Sequence, residues 1–143
     1  MAYSTQAEIE KKVPTDELLQ LTDLEDAGAI NTTVLDEAIE AADAEIDSFL
    51  RVRGETVPLT DVPTIVEHLS VALAIGELYS NRGSADEVVT KRVEWARKWL
   101  TEFAAGHVSL GDANHTDSDP ASAGGVESEA AKRVFTRDDM GGW

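Results

Sequence analysis

The stretch DLEDAGAINTTV, residues 23–34, has the spacing in this chain that comes nearest to a metal site. A calcium-binding loop places oxygen ligands at its first, third, fifth and twelfth positions, with a glycine at the sixth where the backbone turns sharply. Asp23, Glu25 and Gly28 meet the first, third and sixth requirements, and Asn31 the ninth. Ala27 at the fifth position offers no side-chain oxygen, and Val34 stands where a bidentate glutamate should close the shell. The pattern predicts a loop that keeps the turn and has lost the metal. A second acidic run, around Asn114, lacks both the glycine and the closing glutamate.

Other chemistry is sparser. His68 has Glu67 beside it but no second histidine or carboxylate at ligand spacing, which predicts a packed or surface histidine. The chain has no G-x-S-x-G, no Gly-rich phosphate loop and no nucleophile–histidine–carboxylate set that helical spacing would bring together. With no cysteine, thiolate nucleophiles, thiolate metal sites and disulfides drop out together. No catalytic residue, metal ligand or cofactor is therefore assigned.

Two other features could support binding. The run VLDEAIEAADAEIDSFL puts Leu35, Ile39, Ala42, Ile46 and Phe49 on one helical face, while six acids and no base mostly occupy the others. Such a face is either simply solvated or lines something anionic, with Glu40, Asp43 and Asp47 as the residues that would face it. The chain also ends KRVFTRDDMGGW, residues 132–143, after a long stretch almost without large apolar residues. Arg133, Val134, Phe135, Arg137, Met140 and Trp143 combine apolar anchors with cations, the mixture that dominates interface hot spots. They are read as a docking peptide on a tether, against the default of a frayed terminus.

Helices must position these groups. Thr5 and Glu8 form a capping box for a short first helix ending at Pro14, and Thr15 caps about one turn in DELLQL. The acid-rich helix follows Thr32 and Thr33, and RVRGETVPL, residues 51–59, reads as a loop or small hairpin. Asp61 and Pro63 open TIVEHLSVALAIGELYSNR, apolar nearly all round and so predicted to be the most buried helix, with Gly76 admitting a close neighbour. Gly83 ends it. Ser84 and Glu87 suggest a capping box for the last helix, whose stripe is Val89, Val93, Ala96, Leu100 and Phe103. Trp95 and Trp99 lie four apart on an adjoining face and are either core or a subunit contact. Gly106 is the expected C-cap, followed by the short extended HVSLG.

The expected architecture is thus mainly α: a small four-helix bundle-like domain over residues 1–110, a flexible linker over 111–131, and the docking peptide over 132–143. A linker of 21 residues has an rms reach of roughly 25 Å and a limit of about 70 Å. No secretory signal precedes the domain, and the longest apolar stretch contains Glu67, His68 and Glu77, so a soluble chain is expected. The net charge of −16 disfavours wrapping of nucleic-acid phosphates. It is the signature either of a surface built for high salt or of an electronegative wall past which a polyanion slides. An acidic DNA-mimic or regulatory protein-binding module is a further alternative.

Several stretches together resemble the small head-tail connector (adaptor) proteins of Mu-like and related tailed phages and prophages. They are YSTQAEIEKKV with DELLQLTD, the calcium-like loop, AEIDSFLRVR with VPL, LYSNRGSADEVVTKRVEWARKWLTEFAAGHVSLG, and RVFTRDDMGGW. The resemblance covers nearly the whole chain. Gly54-Glu55-Thr56 stands where such relatives commonly have a Tyr, and Trp143 where Phe is usual. The resemblance implies a helical, non-catalytic virion protein, assembled in the host cytoplasm into a homo-oligomeric ring, commonly a dodecamer, in the neck. Its partners would be the portal protein, neighbouring copies of itself and further neck or tail proteins, with no membrane. DNA would pass through the ring without specific binding, and a C-terminal arm would grip the portal or a neighbour.

Overall fold

The computed structural model describes residues 2–84 and 86–110, all within the first of the chain's two units, Met1–Leu110 and Gly111–Trp143. Among the described residues there are five helices: α1 (Gln6–Lys12), α2 (Thr15–Thr22), α3 (Thr32–Val52), α4 (Thr64–Arg82) and α5 (Glu87–Ala104). The expected mainly helical domain is found. Residues 111–131 and 132–143, read as linker and docking peptide, lie outside the described residues.

The start signals hold in part. At α1 the Thr5 hydroxyl accepts from Glu8 N while the Glu8 carboxylate accepts from Thr5 N at 2.9 Å, closing the capping box. The DELLQL segment is longer than expected. It is a helix of eight residues, with Pro14 in the capping position and Thr15 already helical, because Leu18 and Leu21 have a buried face to fill. Asn31 caps α3, its side-chain oxygen accepting from Thr33 N and Val34 N at 3.0 and 3.3 Å. The capping box expected from Ser84 and Glu87 does not form. Asp86 is the cap and accepts from Val89 N at 3.0 Å, and Glu87 is the first helical residue, suited to the positive end of the helix.

Both expected stop signals are glycines in the left-handed region, but only one is the cap. Gly83 (φ 73°) caps α4, whereas α5 is capped by Ala105 in the right-handed region and Gly106 (φ 90°), the expected cap, stands one residue beyond it. Arg51 and Val52, expected in a loop or hairpin, instead extend α3. The turn after it is closed by Gly54 N to Arg51 O at 2.9 Å and Glu55 N to Leu50 O at 3.0 Å, with no strand among the described residues.

Helices α3 and α4 form the centre, and each contacts all four of the others. Seven consecutive residues of α4, from Leu69 through Ile75, are buried, as an all-round apolar helix requires. Leu35, Ala38, Ile39, Ala42, Ile46 and Leu50 form the matching face of α3, with Phe49 half-buried at its edge. On α5, Ala96, Leu100 and Phe103 are buried, and Val89 and Val93 pack against the core from its rim. Gly76 makes the close approach possible: Val93 Cγ2 occupies the space that a Cβ at position 76 would need. No helix among the described residues is long and apolar enough to cross a membrane.

Candidate functional site

The acidic residues of α3 divide into two populations. Glu40 is exposed together with Asp36 and Glu37. Asp43 is only 9% exposed and lies inside the subunit, so it is withdrawn from the acidic face on which the sequence placed it. One of its oxygens accepts from Tyr3 N at 2.9 Å and the other from the Ser70 hydroxyl at 2.7 Å. Because the Ser70 proton is committed to Asp43, Ser4 must donate the 2.7 Å bond that links the two hydroxyls. The Tyr3 hydroxyl donates to the half-buried Asp47 and accepts from Leu59 N at 3.0 Å.

This network fastens the N-terminal strap to α3 and α4. Burial raises the Asp43 pKa, opposed by the bonds from Ser70 and Tyr3. Burial, then the bond to Asp47, pushes the Tyr3 phenol up to about 12. The sequence reading missed Tyr3, Ser4 and Ser70. The available signal was Ser70 itself, a hydroxyl in a helix apolar all round, since a buried polar group almost always has a partner.

The calcium-like loop is held by protein atoms. Asp23 turns back so that its two oxygens accept from Ala27 N and Gly28 N, both at 2.7 Å, while Asp26 (φ 58°) and Gly28 (φ 80°) take the left-handed conformation. The two amide donors hold the Asp23 carboxyl below its ordinary range, and the charge of Arg82, at the end of α4, adds to this. The first ligand position is thus spent on the loop's own backbone. Among the described residues no group of three or more His, Asp or Glu side chains is placed to hold a metal ion. The result is an exposed, internally bonded loop carrying Leu24, 49% exposed, next to Glu25 and Asp26.

The tryptophan pair separates. Trp99 is half-buried and stacks on Phe103, with centroids 5.7 Å apart and an interplanar angle of 8°. Arg53 covers the other ring at 4.9 Å and donates to Phe103 O at 2.6 Å, tying the end of α5 to the turn after α3. Arg97 clasps Glu45 of α3 with bonds of 2.8 and 3.1 Å. Trp95 remains 47% exposed and points away from the core.

Trp95 forms one wall of a groove of about 210 Å³ between α4 and α5, with Val71 and Ile75 as its floor and Lys12, His68 and Arg92 at its edge. A second groove of about 200 Å³ shares Lys12, Ile75 and Arg92 and adds Val88, which is 60% exposed, together with the carboxylates Glu17 and Asp86. Val88, Arg92 and Trp95 are spaced four and three apart, so α5 presents a second stripe beside its core stripe. His68 is exposed at this groove, one of the two placements expected for it. On a chain of net charge −16, an apolar groove edged with cations is a surface of distinct character. Arg133, Val134, Phe135, Arg137, Met140 and Trp143 lie outside the described residues.

The order of these elements has counterparts. The Mu-like prophage FluMu protein gp36 of Haemophilus influenzae is 28% identical over 141 residues, spanning 99% of this chain and 97% of that protein. Residues 3–128 match the family described as Bacteriophage Mu, Gp36, a span that includes the strap at Tyr3, all five helices and the start of the second unit. With most of its length matched, this chain belongs to the Bacteriophage Mu, Gp36 family of phage proteins.

Proposed function

We propose that this phage protein is a structural connector, a non-catalytic subunit that assembles into a ring in the virion neck between the portal and the tail. The observation that carries the reading is the family match over residues 3–128, joined to a small helical domain with a cation-edged groove on its surface. The ring would be homo-oligomeric, with twelve copies as the expected number. DNA would pass through its bore without specific binding, because a chain of net charge −16 repels phosphates. Of the three acids proposed to face the bore, Glu40 is exposed and would be the one to do so, while Asp43 is engaged inside the subunit and Asp47 is bonded to Tyr3.

The last twelve residues would act as the docking peptide, with Arg133, Val134, Phe135, Arg137, Met140 and Trp143 gripping the portal or an adjacent connector. Deleting residues 133–143 is the test. The truncated chain should keep the helical circular dichroism and melting cooperativity of the full chain, yet fail to form stable necks with the portal protein. Normal necks and infectious particles from that variant would remove the docking role.

A further inference from the structure

Four large hydrophobic side chains stand exposed among the described residues: Leu24, Val52, Val88 and Trp95. Val88 and Trp95 belong to the grooves just described and call for an apolar partner. Val52 lies between Arg51 and Arg53, so its surroundings would be repelled by Lys12 and Arg92. Leu24 has the opposite setting. It is flanked by Asp23, Glu25 and Asp26, and the Asp23 bonds to Ala27 N and Gly28 N fix the loop in place before any partner arrives. An apolar knob ringed by acids matches an apolar groove ringed by cations.

We propose that the loop bearing Leu24 of one copy seats in the α4–α5 groove of a second copy. Leu24 would lie against Trp95, Val71 and Ile75, with Glu25 and Asp26 facing Lys12 and Arg92. This deepens, and rests on, the reading of the protein as a ring-forming connector.

The two surfaces are different patches of one subunit. The loop follows α2 and feels Arg82 at the C-terminal end of α4, whereas the groove reaches back to His68. Along that helix Arg82 is 7 residues from Ile75 and 14 from His68, or about 10 and 21 Å. A contact between two different patches is heterologous: it leaves a free knob and a free groove at each step, and it closes into a ring when the rotation allows. The loop enters already ordered, so little conformational entropy is lost on docking. The α5 side of the groove supplies residue types that concentrate binding energy, Trp95 and Arg92.

The absence of native cysteine makes the test direct. Full-length chain carrying Leu24→Cys and His68→Cys together should, under mild oxidation, give a ladder of covalent oligomers, while each single variant gives at most a symmetric dimer. Sedimentation velocity supplies the second measurement. Arg92→Glu and Glu25→Lys should each weaken self-association of the full chain at least tenfold, and mixing the two singly substituted chains should restore a pairwise contact. Oligomers that ignore both charge changes, with no ladder from the double variant, would overturn this interface and leave the connector reading intact. A wild-type chain that stays monomeric at all concentrations would also overturn the contact. The connector reading is then decided separately, by whether the chain is incorporated into necks.

Discussion

Tyr3 and Asp43 show how a few side chains can fix a terminus that has little apolar surface of its own. The phenol of Tyr3 is 3% exposed, bonded to Asp47 and Leu59 N, and ionises only near 12, because burial and the adjacent carboxylate both disfavour a second negative charge. Tyr79, bonded to Glu17 at 2.6 Å, is raised for the same reasons, burial first. These are the chain's two tyrosines, so absorbance reads them without interference from a third. At pH values just above their ordinary 10.0, the folded protein should show almost no phenolate, and denaturant should release both tyrosines to titrate near that value. The linkage sign follows. Between about 10 and about 12 the unfolded chain has lost the Tyr3 proton while the folded chain keeps it, so stability is fully present below 10 and falls as pH rises through 12. A native titration with a midpoint near 10 would contradict the bonding described for both rings. Neither bond was legible in the sequence, since Tyr3 and Asp47 are 44 positions apart and no local pattern couples them.

At the scale of elements, helix periodicity was legible and helix ends were less so. The apolar stripes of α3, α4 and α5 are where their spacing put them, because burial of a continuous face dominates the placement of a long helix. Asp43 departed from the pattern because it adjoins the stripe and had Ser70 and Tyr3 to receive it. The ends shifted where two capping residues competed, as when Asp86 prevailed over Ser84. At Gly76 α4 and α5 approach closely, which yields a prediction against simple propensity. Alanine in a helix is about 1 kcal/mol better than glycine, yet its Cβ would meet Val93 Cγ2. Overpacking of this kind costs roughly 1–3 kcal/mol. Gly76→Ala should therefore lower stability in urea denaturation by about 1 kcal/mol, and Val93→Ala in the same chain should recover much of that loss through a coupling that single changes cannot show. A Gly76→Ala protein more stable than wild type would mean the two helices have room to spare.

For the whole molecule the governing quantity is charge. Twenty-eight acids face twelve bases, and the described residues contain only two Lys or Arg ion pairs, Arg97–Glu45 and Lys91–Glu87. Self-repulsion is the expected state of the isolated subunit. Raising salt from about 0.1 M to about 1 M shortens the screening length from roughly 10 Å to roughly 3 Å. The thermal midpoint of the full chain should rise by several degrees over that range, measured by circular dichroism at fixed pH. A flat or falling midpoint would show that the acids are too far apart, or too well solvated, to oppose folding. The sequence by itself determined the helical class, the surface charge and the family resemblance, because composition, periodicity and motif order are properties of the chain read in one dimension. Only the tertiary structure decided which acids are on the surface, which tryptophan is free, and that Lys12, His68, Arg92 and Trp95 share one groove. Those facts depend on how three helices meet, and residues brought together from positions 12, 68 and 92 leave no local signal of their proximity.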